Sequence, residues 1–249
     1  MFEIMRAIGW YAFLLLLFSC GDNKPIEKAK VEVIKFPKIK GLPDYGQVFL
    51  ETDSMLPSQS FSRILTIGSF DSAVVPVIEN DSVFKHYFFE MPVRGSEETT
   101  PFEILVDKTQ TTSILNPDYL NTQTEVERQN KKMFCKAYPV FVVNKWDSTQ
   151  NIEALYQDLV LLQEALSPDG KWMPIEYSLY DMCGNSYFTY WIPANHFVLT
   201  RIPAYKGAYK TLLRIKLKSA SRVYYSKPYS GSINLSQLDT TEDANGGLF

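Results

Sequence analysis

Residues 159–190 read LVLLQEALSPDGKWMPIEYSLYDMCGNSYFTY, and the fold turns on how this stretch is taken. At its centre lies Ser167-Pro168-Asp169-Gly170. Proline pre-sets φ, aspartate bonds its own backbone and glycine accepts a positive φ, so these four residues specify a tight reversal. The segment before the reversal reads two ways. Ile152, Leu155, Leu159, Leu162 and Leu166 recur at alternating spacings of three and four, the pattern of an amphipathic helix with Asn151 as its cap. The same segment holds a continuous apolar run at 159–162, which suits a buried strand. Strand-like segments lie on both sides and the reversal is of hairpin type, so the strand is preferred. Residues 151–166 then enter the reversal and 171–180 leave it. Trp172, early in the outgoing strand, is expected to fill the space between two sheets. Cys183-Gly184-Asn185-Ser186 ends the unit.

Outward from this hairpin, further strand signals fall at 137–144, 186–192, 196–202, 209–218, 222–225 and 232–235. In 209–218, Thr211, Leu213, Ile215 and Leu217 share one face; Lys210, Arg214, Lys216 and Lys218 share the other, with Leu212 the exception. Strands at about ten-residue spacing point to a C-terminal Ig-like β-sandwich over 134–239. Residues 240–249 read as a frayed tail. Upstream, 116–133 is polar and reads as a linker or short exposed helix, placing a domain boundary there. Before it, 41–115 alternates short apolar runs (48–51, 63–68, 73–78, 83–91 and 102–106) with Asp, Ser, Asn, Pro and Gly, the pattern of a smaller β-rich domain. The expected class is all-β.

Composition agrees. Tyr 15 and Phe 16 are high, and 45% of the 249 residues are apolar, enough for a sizeable core. A net charge of −3 without a basic stripe excludes a nucleic-acid partner. With two histidines, and His86 set among aromatics without Cys, His or carboxylate at metal spacing, no metal or cofactor is expected.

The N-terminus is an address. Residues 7–18 form an apolar run of signal-peptide length behind Arg6, too short to span a bilayer comfortably. It ends Leu17-Phe18-Ser19-Cys20-Gly21, which resembles the lipobox of bacterial lipoproteins. That resemblance implies cleavage after residue 19, lipidation of Cys20 and a firm membrane anchor. Residues 20–40 follow as a tether. Its lysines either attract anionic headgroups or, the preferred reading, belong to a solvated linker. The expected place is a bacterial cell envelope.

Further along, Gln163-Glu164-Ala165, Asp169-Gly170-Lys171-Trp172, Pro174-Ile175-Glu176, Cys183-Gly184-Asn185-Ser186-Tyr187 and Lys206-Gly207-Ala208-Tyr209-Lys210-Thr211 with Arg214 occur in that order. Over about residues 134–236 this pattern resembles uncharacterised exported lipoproteins of Bacteroidetes. The resemblance supports strand over helix before the reversal and implies no catalytic residue. Asp followed by Ser or Thr, and then by an apolar residue or Thr, occurs at Ser54, Ser72, Ser82, Ser148 and Thr240. These triplets resemble O-glycosylation acceptors of exported Bacteroidetes proteins; the competing reading is Asx-type turn chemistry.

Several constellations are weighed against plain folding. Cys135 and Cys183 are a candidate disulfide pair outside the cytoplasm, or two buried thiols. Trp146, Trp172, Trp191, Tyr187 and Tyr190, with Tyr177 and Tyr180, are a candidate sugar-stacking platform, or core and cross-strand packing, the preferred reading. Glu164 and Glu176 flank the hairpin, but two strand carboxylates are more often a hydrogen-bonded or solvated pair than a glycosidase pair. Ser186 and His196 come without a nucleophile elbow. The expected function is a non-catalytic structural or protein-interaction module, with carbohydrate binding on the aromatic platform as the alternative.

Overall fold

In the structure, a computed structural model describing residues 34–42, 45, 48–58, 61–77, 88–89, 102–116, 133–155, 157–178 and 186–238, the reversal at 167–170 closes as its residues dictate. Gly170 takes φ +79°. Its N–H donates to Ser167 O (3.0 Å), and Ser167 N–H donates to Lys171 O (2.8 Å). Leu161–Leu166 therefore pairs antiparallel with Trp172–Pro174. A Cβ added at Gly170 would meet nothing within 4 Å. Gly170→Ala is thus expected to cost only the backbone term, about 1 kcal/mol, read as a drop of a few degrees in the calorimetric midpoint.

In chain order the described strands are β1 (Lys38–Lys40), β2 (Leu56–Pro57), β3 (Thr66–Ser69), β4 (Val74–Pro76), β5 (Phe88–Phe89), β6 (Phe102–Val106), β7 (Thr112–Leu115) and β8 (Phe134–Asn144). There follow β9 (Gln150–Leu155), β10 (Asp158–Leu159), β11 (Leu161–Leu166), β12 (Trp172–Pro174) and β13 (Glu176–Tyr177). Last come β14 (Tyr187–Ile192), β15 (His196–Pro203), β16 (Tyr209–Ser219), β17 (Arg222–Tyr225) and β18 (Tyr229–Ile233). The central sheet runs β3-β15-β8-β6, with β7 also on β8. The hairpin sheet runs β12-β11-β16-β17, with β18 also on β16. A side sheet runs β10-β9-β14-β5. Two short parallel pairs, β1 with β4 and β2 with β13, complete the set.

All three larger sheets share one core. Val140, Val142 and Val198 of the central sheet meet Ile152 and Ile192 of the side sheet and Ile215 and Leu217 of the hairpin sheet. The opposite face of the central sheet is covered too. Phe141, Val143, Phe197 and Leu199 pack there with Ile39 and Val75 of the β1–β4 pair. Burial on both faces is why 140–143 is a continuous apolar run without alternation. Each fully buried side chain here contributes about 1.5–3 kcal/mol. A third cluster joins Ala137, Ala165, Leu213 and Ile233 to Leu50, Leu56 and Phe61 from the N-terminal part.

The all-β expectation holds, and its internal division does not. β3 pairs with β15, β5 with β14, and β6 and β7 with β8. Strands from both sides of residues 116–133 therefore lie in the same sheets, and Phe36–Phe249 form one compact unit. The separate domains expected over 41–115 and 134–239 are replaced by three sheets that draw strands from both. The C-terminal strands still pack sheet on sheet, as Val140, Val142 and Val198 do against Ile215 and Leu217, but they are divided among three larger sheets and not the two of an Ig-like sandwich. The helix-like spacing in 151–166 also has a structural cause. Of the spaced residues, Ile152 of β9 and Leu159 of β10 enter the shared core, whereas Leu162 and Leu166 take the other parity in β11, so the spacing spans three successive strands and no single face.

The signal peptide and Cys20, residues 21–33 of the tether, the linker residues 117–132, Ser82, His86, Tyr180, Cys183, Thr240 and the tail lie outside the described residues. Cys135 is buried in β8.

Candidate functional site

Strand parity decides what the hairpin sheet shows to solvent. In β11, Leu161, Gln163 and Ala165 face the interior, so Leu162, Glu164 and Leu166 face the other way. Trp172 stands opposite Leu166 and Arg214 opposite Glu164. In β17, Tyr225 stands opposite Lys216 and Val223 opposite Lys218. That face therefore carries, in a diagonal row across four neighbouring strands, Trp172, the buried Glu164, Arg214 and Tyr225.

The row is held by contacts rather than by proximity alone. The Arg214 guanidinium lies 4.4 Å from the Trp172 ring centroid and 4.1 Å from that of Tyr225. Its Nε donates to Glu164 Oε2 at 2.7 Å, and Lys216 Nζ lies 3.7 Å from Oε1. A planar cation packed on aromatic faces and fixed by a carboxylate is rigid and keeps little rotamer freedom to lose on binding. Around it, Leu212 (42% exposed), Val223 (40%) and Tyr225 (49%) reach solvent.

Beyond Tyr225 a groove of about 450 Å³ runs between β17 and β6, lined by Phe102, Glu103, Lys145, Val223, Tyr225 and Lys227. β6 and β17 each end their sheet's strand order. They approach through the Phe102–Tyr224 ring contact (centroids 5.6 Å apart) without pairing. Glu103 is met by Lys145 at 3.1 Å. Among the described residues Lys227 has no carboxylate within ion-pair distance.

On the inward side the same sheet buries a polar chain. Glu176, 1% exposed, accepts at Oε1 from Gln163 Nε2 (2.8 Å) and the Tyr205 hydroxyl (3.0 Å), and at Oε2 from Gln163 N–H (2.8 Å). Tyr229 hydroxyl donates to Gln163 Oε1 at 2.6 Å. Burial pushes the Glu176 carboxyl up to about 7 against the three donors that pull it down. Burial also raises the Tyr205 and Tyr229 hydroxyls well above the usual tyrosine value, with the Glu176 charge adding to it.

The sequence-derived candidates scatter over this framework. Tyr190 is 2% exposed in the shared core, and burial raises its hydroxyl. Tyr187 and Trp191 lie on β14 in the side sheet, Trp146 lies in the loop after β8, and Trp172 lies in the hairpin sheet. The five do not form one platform. Trp172 is half-buried on the outward face and fills no space between sheets, because its position opposite Leu166 gives it the outward parity. Glu164 and Glu176 point to opposite faces of the hairpin sheet and do not pair. His196 Nδ1 lies 2.8 Å from Ala194 O at the start of β15, and Ser186 is buried beside β14. Among the described residues no group of three His, Cys, Asp or Glu side chains is placed to hold a metal. Of the Asp-Ser/Thr triplets, Ser54 and Ser148 are exposed and Ser72 half-buried. Local turn bonds occur at Ser54, whose N–H donates to Thr52 Oγ1 (3.3 Å), and at Ser72, whose N–H donates to Ser69 O (3.2 Å); Ser148 Oγ accepts from Gln150 Nε2 (3.0 Å).

Arg214, Tyr225 and Lys227 were not among the candidates. The alternation of 209–218 puts Arg214 on the polar face, but only the pairing register brings it onto Trp172 and Glu164. Comparison of the chain with models of protein families, with curated proteins and with solved structures finds no match.

Proposed function

We infer that this is a lipid-anchored protein of a bacterial envelope that acts without catalysis, by docking an extended segment of another envelope protein. The single observation that carries this reading is the groove between β6 and β17, which opens onto the Trp172–Arg214–Tyr225 row. Among the described residues, β6 and β17 each end their sheet's strand order and flank it, and a terminal strand is the element to which a partner strand adds by main-chain hydrogen bonds. Val223, Leu212 and Tyr225 supply apolar contact, and Lys227 supplies a charge for an acidic residue of the partner. The lipobox-like Leu17-Phe18-Ser19-Cys20 supports the envelope location, and the ordered motifs of 134–236 support kinship with exported lipoproteins of Bacteroidetes. A sugar-binding surface has less support, since its five aromatic residues are dispersed.

The test is a photo-crosslinker at Val223 in intact cells, with one at Lys171 on the hairpin tip as control. Val223 is expected to give one discrete protein adduct that Tyr225→Ala diminishes, and Cys20→Ser is expected to move the protein from membrane to soluble fractions. No adduct at Val223, together with signal on a glycan array, would replace this reading by the sugar-binding one.

A further inference from the structure

The polar chain behind the hairpin sheet opens into a cavity. It has a volume of about 250 Å³, and its lining includes Phe49, Lys108, Tyr138, Gln163, Tyr205 and Tyr229. The inner end is polar and oriented. Gln163 is fully buried, and its amide is fixed by donation to Glu176 and to Pro203 O (3.2 Å) and by the bond it accepts from Tyr229. The walls are aromatic. The solvent side carries Lys108, which is exposed.

Lys108 is held in place from two directions. Its loop is ordered by the buried carboxylate of Asp107, which accepts from Thr109 N–H (2.8 Å) and Gln110 Nε2 (2.7 Å). Its ammonium donates to Ser230 O at 2.8 Å and lies 5.8 Å and 6.0 Å from the ring centroids of Tyr138 and Tyr229. A second ammonium stands close by: Lys136 Nζ is 4.7 Å from the Phe49 centroid and 5.9 Å from that of Tyr138. Among the described residues neither ammonium has a carboxylate within ion-pair distance, whereas Lys145, Lys171, Lys206 and Lys216 each have one. Two cations with no carboxylate partner among the described residues, beside a concave aromatic pocket, focus positive potential on its opening. Lys108 spends one of its three N–H donors on the protein and has two left for a ligand.

We propose that this cavity binds a small organic carboxylate of about one ring in size. Lys108 receives the carboxylate, Lys136 adds to the attraction, the ring lies against Tyr138 and Phe49, and its polar substituents reach Gln163 and Tyr229. The size follows from the volume, which is below the roughly 300–1,000 Å³ of sites for drug-sized molecules. The charge follows from the lysines, and the aromatic walls with a hydrogen-bonding end favour a ring over a bare inorganic anion. The site is separate from the β6–β17 groove and does not depend on the docking reading.

The test uses the full chain in detergent, with thermal shift and titration calorimetry against glucuronate, benzoate, glucose and inorganic phosphate. At least one ring carboxylate is expected to raise the midpoint and bind measurably at millimolar concentration, more weakly at high salt. Glucose and phosphate are expected to do neither. Lys108→Glu loses the bond to Ser230 O and the ring contacts, so its ligand-free midpoint is expected to fall slightly while the chain still folds; it is expected to weaken binding by about tenfold or more, and Lys108→Arg to restore it. Four results would overturn the proposal: no response to either carboxylate, an equal response in Lys108→Glu, an equal response to glucose, or an equal response to phosphate.

Discussion

Glu176→Leu is expected to destabilise the protein by about 3–5 kcal/mol near pH 5, the cost of stranding three buried donors at roughly 1–3 kcal/mol each with partial relief. Those donors are Gln163 N–H, Gln163 Nε2 and the Tyr205 hydroxyl; among the described residues only Gln163 Nε2 has a second acceptor, Pro203 O. The deficit is expected to shrink toward pH 8, because the wild type itself weakens on the way. The Glu176 carboxyl releases its proton near 4.5 when unfolded and at about 7 when folded. Between those values the folded chain holds more protons than the unfolded one, so stability falls as pH rises through this window. The shift corresponds to about 3 kcal/mol in all, with nothing further lost above about pH 7. Asp158, pushed up to about 6 by burial against the pull of Arg63 and Arg201, acts in the same direction over a lower window. Denaturant unfolding across pH, for wild type and variant, measures both effects. A variant as stable as wild type at pH 5, or one with the same slope between pH 5 and 7, would show that Glu176 does not anchor this chain of hydrogen bonds.

Gly207→Ala is expected to be at least as damaging. A Cβ at this position would stand 2.0 Å from the carbonyl carbon of Ile233 and 2.2 Å from its oxygen. Backbone cannot turn aside as a side-chain tip can, so β18 or the segment before β16 has to shift. Gly207 N–H meets Ser232 Oγ (3.3 Å) and Ala208 N–H meets Asn234 Oδ1 (3.2 Å), and both contacts depend on that close approach. The cost of forced overpacking starts at about 1–3 kcal/mol for side chains and is expected to exceed 3 kcal/mol here. It should appear as a lowered denaturation midpoint, with faster amide exchange in β18 and in the start of β16. Exchange in β9 and β14, in another sheet, should change only by as much as global stability does. A soluble variant with the wild-type midpoint would contradict the close approach.

Much of the strand map was legible because it rests on local chemistry. The reversal at 167–170 needs only proline, aspartate and glycine in that order, and Gly170 takes the positive φ it was there to take. The alternation in 209–218 names Leu213, Ile215 and Leu217 as buried, and even its exception, Leu212, proves to be an exposed residue on the outward face. The run at 140–143 announces burial on both sides. Trp172 shows where this stops: its size made it a candidate for the core, but one step of parity in the hairpin register sets it outward.

Periodicity within a strand determined which residues of this protein share a face, and turn chemistry determined where the chain reverses. Neither determines which face meets which. Only the tertiary structure placed β3, β5, β6 and β7 in sheets with strands from beyond residue 133, because sheet pairing is set by the apolar faces left to cover and not by neighbourhood along the chain. The same holds for the sites. Arg214 between Trp172 and Tyr225, Lys108 above Tyr138 and Tyr229, and Gln163 between Tyr229 and Glu176 join residues from different strands and loops. Their chemistry arises from register and closure, which no single stretch of sequence contains.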